Sequence, residues 1–266
     1  MVKKSKGIIL FALTVILLVV VSGRASPAFL PPDRGTQEEE DNPGGPDEPP
    51  PTLGPAETPE ESPKPTTNIR DILPGVSRSD WELRLVNQAV VLPETFAPEV
   101  SATRNGHYFD TRAVDALETM LSAAENAGNS VCIRAAYRPY RTQANLFFGR
   151  ATIISESQGI PYSLEVEEMA KEFVAYPGTS EHQTGLCADI MPDAVTEMDA
   201  EDCEELPLLI WLREHCAEYG FIARYPKEKQ ETTGWYEPWH FRYVGKASAE
   251  YIMENDLCLE EFIALF

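Results

Sequence analysis

The sequence predicts an α+β domain built of helices and short strands. Three observations carry this. Helical apolar spacing recurs beyond residue 110, and short apolar runs of strand length lie among those stretches. The two kinds mix without the regular βαβ order of a doubly wound sheet. The chain has 266 residues, 43% of them hydrophobic, which suffices for one mid-sized core with attachments.

The elements follow in chain order. Trp81 to Leu92 (WELRLVNQAVVL) has strand character and reads as an early edge segment. Thr111 to Ala127 places Val114, Leu117, Leu121 and Ala124 at helical spacing, with Asp110 as N-cap and Gly128 past the end. Val131-Cys132-Ile133 is a strand, while Arg141 to Glu156 and Leu164 to Val174 read as helices. Leu186 to Met191 is a strand, followed by an acidic loop from Pro192 to Glu205. Pro207 to Tyr219 is an amphipathic helix with Pro in its first turn and Gly220 after its end. Phe221 to Arg224 and Phe241 to Val244 are short strands, and one or two helices close the chain from Lys246 on.

Two attachments precede this domain. Lys3, Lys4 and Lys6 stand before an apolar run from Gly7 to Val21, the pattern of a secretory signal or short signal-anchor. Residues 1–23 therefore read as a segment that directs export and stays as a membrane anchor, leaving the rest outside the cytoplasm. Cleavage after it would instead release a secreted protein. Residues 24–76 form a Pro- and Glu-rich linker: 12 of the 22 prolines fall between Pro27 and Pro65, beside two acidic blocks. Such a stretch cannot bury enough apolar surface to offset its chain entropy, so it is expected to be a disordered spacer. The folded domain is expected over 77–266.

Charge excludes several classes. The net charge is −21, with −17 on residues 68–266 alone, which argues against nucleic acid and against adsorption to anionic lipid. Membrane contact is thus expected through the N-terminal segment only. Five cysteines lie beyond residue 130 with no CxxC pair, which excludes zinc ribbons and thioredoxin-type motifs and leaves at most one bridge in an exported domain.

The chemistry gathers in three places. In Ser180-Glu181-His182-Gln183-Thr184-Gly185-Leu186-Cys187-Ala188-Asp189, a histidine and an aspartate stand seven residues apart. On a uniform strand they would face opposite ways, but Gly185 offers a turn that brings both to one point. In Glu237-Pro238-Trp239-His240, Pro238 excludes a helix interior, and an aromatic separates the acid from the imidazole. Two His and one Asp make a three-ligand set for Zn²⁺ with a fourth position open to water, and Glu237 is placed as general base. The third place is Tyr137-Arg138-Pro139-Tyr140-Arg141-Thr142-Gln143, where an Arg just after a strand can grip a carboxylate or a developing oxyanion. A surface ion pair is the equally available reading of that Arg. His107, in a polar loop, and His215, on the amphipathic helix, are not expected to take part. Trp235 and Tyr236 are open between lining a cleft and filling the core.

SxHxxGxxxD, preceded by YRxxxxQ and followed by ExWH, resembles the VanY family of zinc D-alanyl-D-alanine carboxypeptidases. The likeness extends over roughly residues 80–260, including GFIARYPKEKQETTGWYEPWHFRYVG from Gly220 to Gly245. The resemblance implies a small antiparallel sheet with packed helices, the zinc DD-carboxypeptidase, hedgehog-like fold, and one Zn²⁺ per chain held by His182, Asp189 and His240. It implies Glu237 as catalytic base, Arg138 as transition-state partner, and Arg138, Gln143 and Ser180 as substrate-binding residues. The implied reaction removes the C-terminal D-Ala from peptidoglycan stem peptides. Two alternatives stand beside it: an L,D-carboxypeptidase acting on tetrapeptide stems, and a non-catalytic wall-binding module. One position departs from the family: Cys187 stands where Ala is usual. Strand alternation puts it on the face of Asp189, where a thiolate could compete for the metal. The favoured expectation is a small buried hydrophobe near Cys132.

Overall fold

In the computed structural model, residues 68–195 and 198–266 are described. The N-terminal segment and most of the linker lie outside these residues. Among the described residues no helix is long and apolar enough to cross a membrane.

The chain runs α1 (Ile69–Ile72), β1 (Val100–Ala102), β2 (Tyr108–Asp110), α2 (Val114–Asn126), β3 (Cys132–Ala135), α3 (Tyr140–Gln158) and α4 (Leu164–Ala170). It continues with β4 (Cys187–Met191), α5 (Ala200–Cys203), α6 (Pro207–His215) and β5 (Phe221–Tyr225). The last elements are α7 (Gln230–Thr233), β6 (Glu237–Tyr243), α8 (Lys246–Glu254) and α9 (Leu259–Ile263). β1 and β2 form a hairpin, and β3-β4-β6-β5, in that order, form an antiparallel sheet. The α+β class follows as expected.

Local sequence explains the helices. In α2, Leu117, Met120, Leu121 and Ala124 make one buried stripe. α3 ends on Gly159 at φ +64, and α4 opens on Ser163, whose hydroxyl accepts from the Val166 amide at 3.4 Å. Pro207 opens α6, which tightens into a 3₁₀ turn, Cys216–Tyr219, and stops at Gly220 (φ +84).

The sheet has two unlike faces. Ala188, Ile190 and Phe241 face the main core, where they meet Leu117 and Leu121 of α2 and Leu209 and Leu212 of α6. Burying each of the larger side chains contributes roughly 1.5–3 kcal/mol. The opposite face carries Cys187, Asp189, His240 and Arg242, which the register aligns as Cys187↔Arg242 and Asp189↔His240. A second core joins Ile69, Leu83 and Ile222 to Ala249, Ile252, Leu259 and Phe262, and a third lies between α3 and α4.

Three expectations change. Trp81 to Leu92 is no strand: Trp81–Leu83 is a 3₁₀ turn, because Leu83 and Val86, three residues apart, are both buried. The carbonyls of Glu82 and Arg84 accept from Arg242 instead of a neighbouring strand. α2 begins at Val114 without an Asp110 cap, since that carboxylate is engaged by the Arg112 amide and guanidinium. Residues 68–76, read as linker, include α1, whose Ile69 is buried in the second core. Cys187 is fully buried on β4, and Cys132 lies on the neighbouring strand β3, paired with Met191.

Candidate metal centre

β4 and β6 bring the two sequence motifs together. Ser180 opens a 3₁₀ turn, Glu181–Thr184, that Gly185 closes at φ +71. That left-handed residue lets the chain reverse from His182 into β4, so His182 and Asp189 converge as the spacing predicts. The His182 Nε2 lies 3.3 Å from one Asp189 oxygen, and the His240 Nδ1 lies 3.0 Å from the other. The aspartate therefore stands between both imidazoles, whose ring centroids are 5.0 Å apart.

Glu237 and His240 are three apart on β6 and would face opposite sides of a regular strand. A register shift resolves this. Between Ala223↔Phe241 and Tyr225↔Glu237, β6 carries more residues than β5, and the irregularity re-aims the acid. The Glu237 carboxylate comes to 3.4 Å from the His240 Nδ1. Its side chain is 27% exposed against 3% for His240, so it stands on the solvent side of the cluster.

The hydrogen bonding of the cluster is incomplete. His182 Nδ1 donates to the Ala136 carbonyl at 2.7 Å, which fixes the ring and turns the Nε2 lone pair inward. By contrast, the 3.0 Å contact of His240 Nδ1 with Asp189 Oδ1 is not aligned as a hydrogen bond, and among the described residues Asp189 Oδ1 and both ring nitrogens of His240 are buried with no hydrogen-bond partner. Buried polar atoms left this way are rare and costly. Imidazole nitrogens and carboxylate oxygens are also the donors a zinc ion takes.

Charge balance points the same way. Burial alone would lower His182, yet the charges of Cys187 and Asp189 raise it to about 9. His240 is likewise raised above its ordinary value, against burial, by Cys187, Asp189 and Glu181. Burial raises Glu237, Asp189 adds to it, and His240, His182 and Arg138 offset part of the effect. The cluster thus holds an excess of negative charge that a divalent cation would neutralise in place of imidazolium protons. Two sets of three donors lie within 4.8 Å of one another: Asp189, Glu237, His240 and, separately, His182, Cys187, His240.

The remaining predicted residues line a cavity of about 470 Å³ opening on the cluster. Arg138 and Ser180 are both at its wall. Gln143 is buried and fully engaged: its Oε1 accepts from Arg138 Nη1 at 2.7 Å, and its Nε2 donates to the Ala175 carbonyl at 2.6 Å. Trp235 lines this cavity, whereas Tyr236 donates to the Ala200 carbonyl away from it. His107 belongs to the β1–β2 turn, and His215 stacks on Trp211, neither of them near the cluster.

One buried network went unread in the sequence. Glu181 Oε1 accepts from Arg224 Nε and Arg242 Nη1, both at 2.8 Å, with all three side chains fully buried. Its other oxygen faces His240 Nε2 at 3.5 Å, a charge contact too long for a made hydrogen bond. Burial alone would raise Glu181, but the two guanidinium charges hold it well below the usual carboxylate range.

Known proteins resemble this chain in sequence and fold. The family model described as "VanY: D-alanyl-D-alanine carboxypeptidase" matches residues 106–246. The chain belongs to the VanY family. A D-alanyl-D-alanine carboxypeptidase of Enterococcus faecalis is 34% identical over 79% of this chain and 74% of its own length. Among solved structures, a variant of the vancomycin-resistance D,D-pentapeptidase VanY in complex with Zn(II) superposes with a TM-score of 0.59. It is 34% identical and covers 69% of this chain and 99% of its own. The LD-carboxypeptidase LdcB superposes with a TM-score of 0.58 at 37% identity, covering 69% of this chain and 86% of its own. The family match spans the β2-to-β6 region that builds the cluster.

Proposed function

We infer that this chain is a zinc D-alanyl-D-alanine carboxypeptidase that removes the C-terminal D-Ala from peptidoglycan stem peptides. One observation carries the reading: Asp189 stands between His182 and His240 with buried donor atoms left unpaired, and the Glu237 carboxylate is beside them. His182, Asp189 and His240 hold the zinc ion, which when bound polarises the scissile carbonyl and acidifies the attacking water. Glu237, on the solvent side, accepts the proton of that water at its carboxylate and delivers it to the departing D-Ala amine. Arg138, fixed by Gln143, sets its guanidinium toward the negative charge that develops on the carbonyl oxygen. Ser180 borders the same cleft and contacts the substrate backbone.

The likeness to LdcB supports a second specificity, for the L-residue–D-Ala bond of a tetrapeptide stem, with the same ligands and base. We further propose that the lysine-led apolar run of residues 1–23 anchors the enzyme outside the cytoplasm, with the Pro- and Glu-rich stretch as spacer. The basis is the charge and hydropathy pattern.

The test is D-Ala release from pentapeptide and tetrapeptide stems by the zinc-loaded protein, with Glu237→Ala as control. Release from the pentapeptide, lost in the variant, supports the D,D reading. Release from the tetrapeptide alone moves the specificity to L,D. No release from either by a folded, zinc-bound protein overturns the enzyme reading for these substrates.

A further inference from the structure

Cys187 has no part in that reaction. It lies on β4 two residues before Asp189, and its side chain is fully buried on the same face of the sheet. Its Sγ and a nitrogen from each of His182 and His240 lie within 4.8 Å of one another. Its burial and its place between these two imidazoles put the sulfur on the face of the sheet that carries the cluster. Its ladder neighbour Arg242 turns away to Glu181 and to the carbonyls of Glu82, Arg84 and Tyr243. His240, one of the two imidazoles beside that sulfur, is 2% exposed, and among the described residues neither of its ring nitrogens has a hydrogen-bond partner.

Resting on the zinc reading above, we propose that Cys187 is a fourth protein donor to the cation, adding a soft thiolate to the two imidazoles and the aspartate. Cys sulfur binds zinc at about 2.3 Å and His nitrogen at about 2.0–2.1 Å, so donors around a tetrahedral ion stand ~3.5 Å apart. Closing the His182–Cys187–His240 set from its limit of 4.8 Å takes ~1.3 Å at most, within reach of side-chain torsions. A thiolate in the set shifts preference toward softer cations, because sulfur selects them over the carboxylate oxygens that suit hard ones. It also occupies a position that water would take, so the thiolate-bound form is a resting form from which the sulfur is displaced before turnover.

Cobalt(II) is the probe, because its bond to sulfur gives a charge-transfer absorption in the near ultraviolet that nitrogen and oxygen donors do not give. The full-length chain is loaded with Co²⁺, alongside Cys187→Ala and Cys187→Ser. The expected result is a sulfur band in the parent that both variants lack. Zinc affinity, measured against a chromophoric chelator, falls at least tenfold in Cys187→Ala, and the preference for Cd²⁺ over Zn²⁺ falls with it. Cobalt bound with its visible bands but without the sulfur band overturns the proposal and leaves the zinc reading standing. A folded parent chain that binds no Co²⁺ or Zn²⁺ overturns both.

Discussion

Replacing Glu181 by Gln removes a negative charge while keeping the side chain's shape, and two buried guanidinium groups feel the loss unequally. Arg224 retains Glu260, with contacts at 2.8 and 2.7 Å. Arg242 retains only backbone carbonyls, those of Glu82, Arg84 and Tyr243. One fully buried cation is therefore left without a carboxylate, a change that typically costs about 3–5 kcal/mol. Both bonds end on the same Glu181 oxygen, and the amide oxygen of Gln in its place still accepts them, which puts the expected loss near the bottom of that range, about 3 kcal/mol. For a domain of this size that lowers Tm by roughly 6–12 °C. The assay is urea unfolding followed by tryptophan fluorescence, with Glu181→Gln, Arg242→Met and the double variant forming a cycle. The double variant is expected to recover part of the loss, because no buried charge is then left alone. A loss below about 1 kcal/mol in Glu181→Gln would refute the assignment of Glu181 as the counter-charge of Arg242. The pH dependence gives a second check. A carboxyl held below its ordinary 4.5 contributes stability that is full above that value and fades as pH falls toward its depressed folded value. The gap between parent and Glu181→Gln should accordingly narrow as pH drops below about 4.5.

Further expectations concern the site. Glu237→Gln should lower kcat by about 10²–10⁴-fold through loss of the base, while zinc content measured by atomic absorption stays at one per chain. Gln143→Ala frees Arg138 and loses a hydrogen bond to a charged group, so kcat/KM should fall ~10–100-fold with the fold intact by circular dichroism. Gly185→Ala forces a side chain into a left-handed conformation at φ +71, with its Cβ 3.3 Å from the Asp110 amide and from Pro98. Steady loss of about 1–2 kcal/mol or more in denaturant unfolding is expected, with weakened zinc affinity because the turn aims His182. Chelation should lower Tm reversibly, and zinc titration should restore it in proportion to RT ln(1 + [L]/Kd).

The residues proposed to hold the metal stand out in the sequence because each sits in a local pattern with its own geometry. Gly185 announces the turn that joins His182 to Asp189, and Pro238 keeps the Glu237–His240 pair out of a helix. The helices were legible for the same reason, since 117, 120, 121 and 124 repeat at one helical face. The Glu181–Arg224–Arg242 network was not, because it exists only once β5 and β6 are paired in register and both Arg residues fall opposite the 3₁₀ turn before β4. A charged residue inside each of two short apolar strands was the available hint. The β1–β2 hairpin also carried a signal, the Asn105-Gly106 pair with Gly106 at φ +75, but its three-residue strands are too short to show alternation. The stretch from Trp81 misled for the reverse reason: its alternating pattern is local, and tertiary demand for its carbonyls by Arg242 decided the conformation.

The two ends of the described domain meet. Ile69 shares a buried cluster with Phe262 and Ile263, and Arg70 donates to the carbonyl of Phe266. A linker closing Phe266 onto Asn68 would have little distance to cover, so the domain is suited to circular permutation. The exposed residues between α3 and α4 are a natural place to open the new ends. Such a permutant would keep β4, β6 and the turn that aims His182 in their spatial order while changing where synthesis begins. The metal centre belongs to the closed circle of the fold, and the starting point of the chain along that circle is interchangeable.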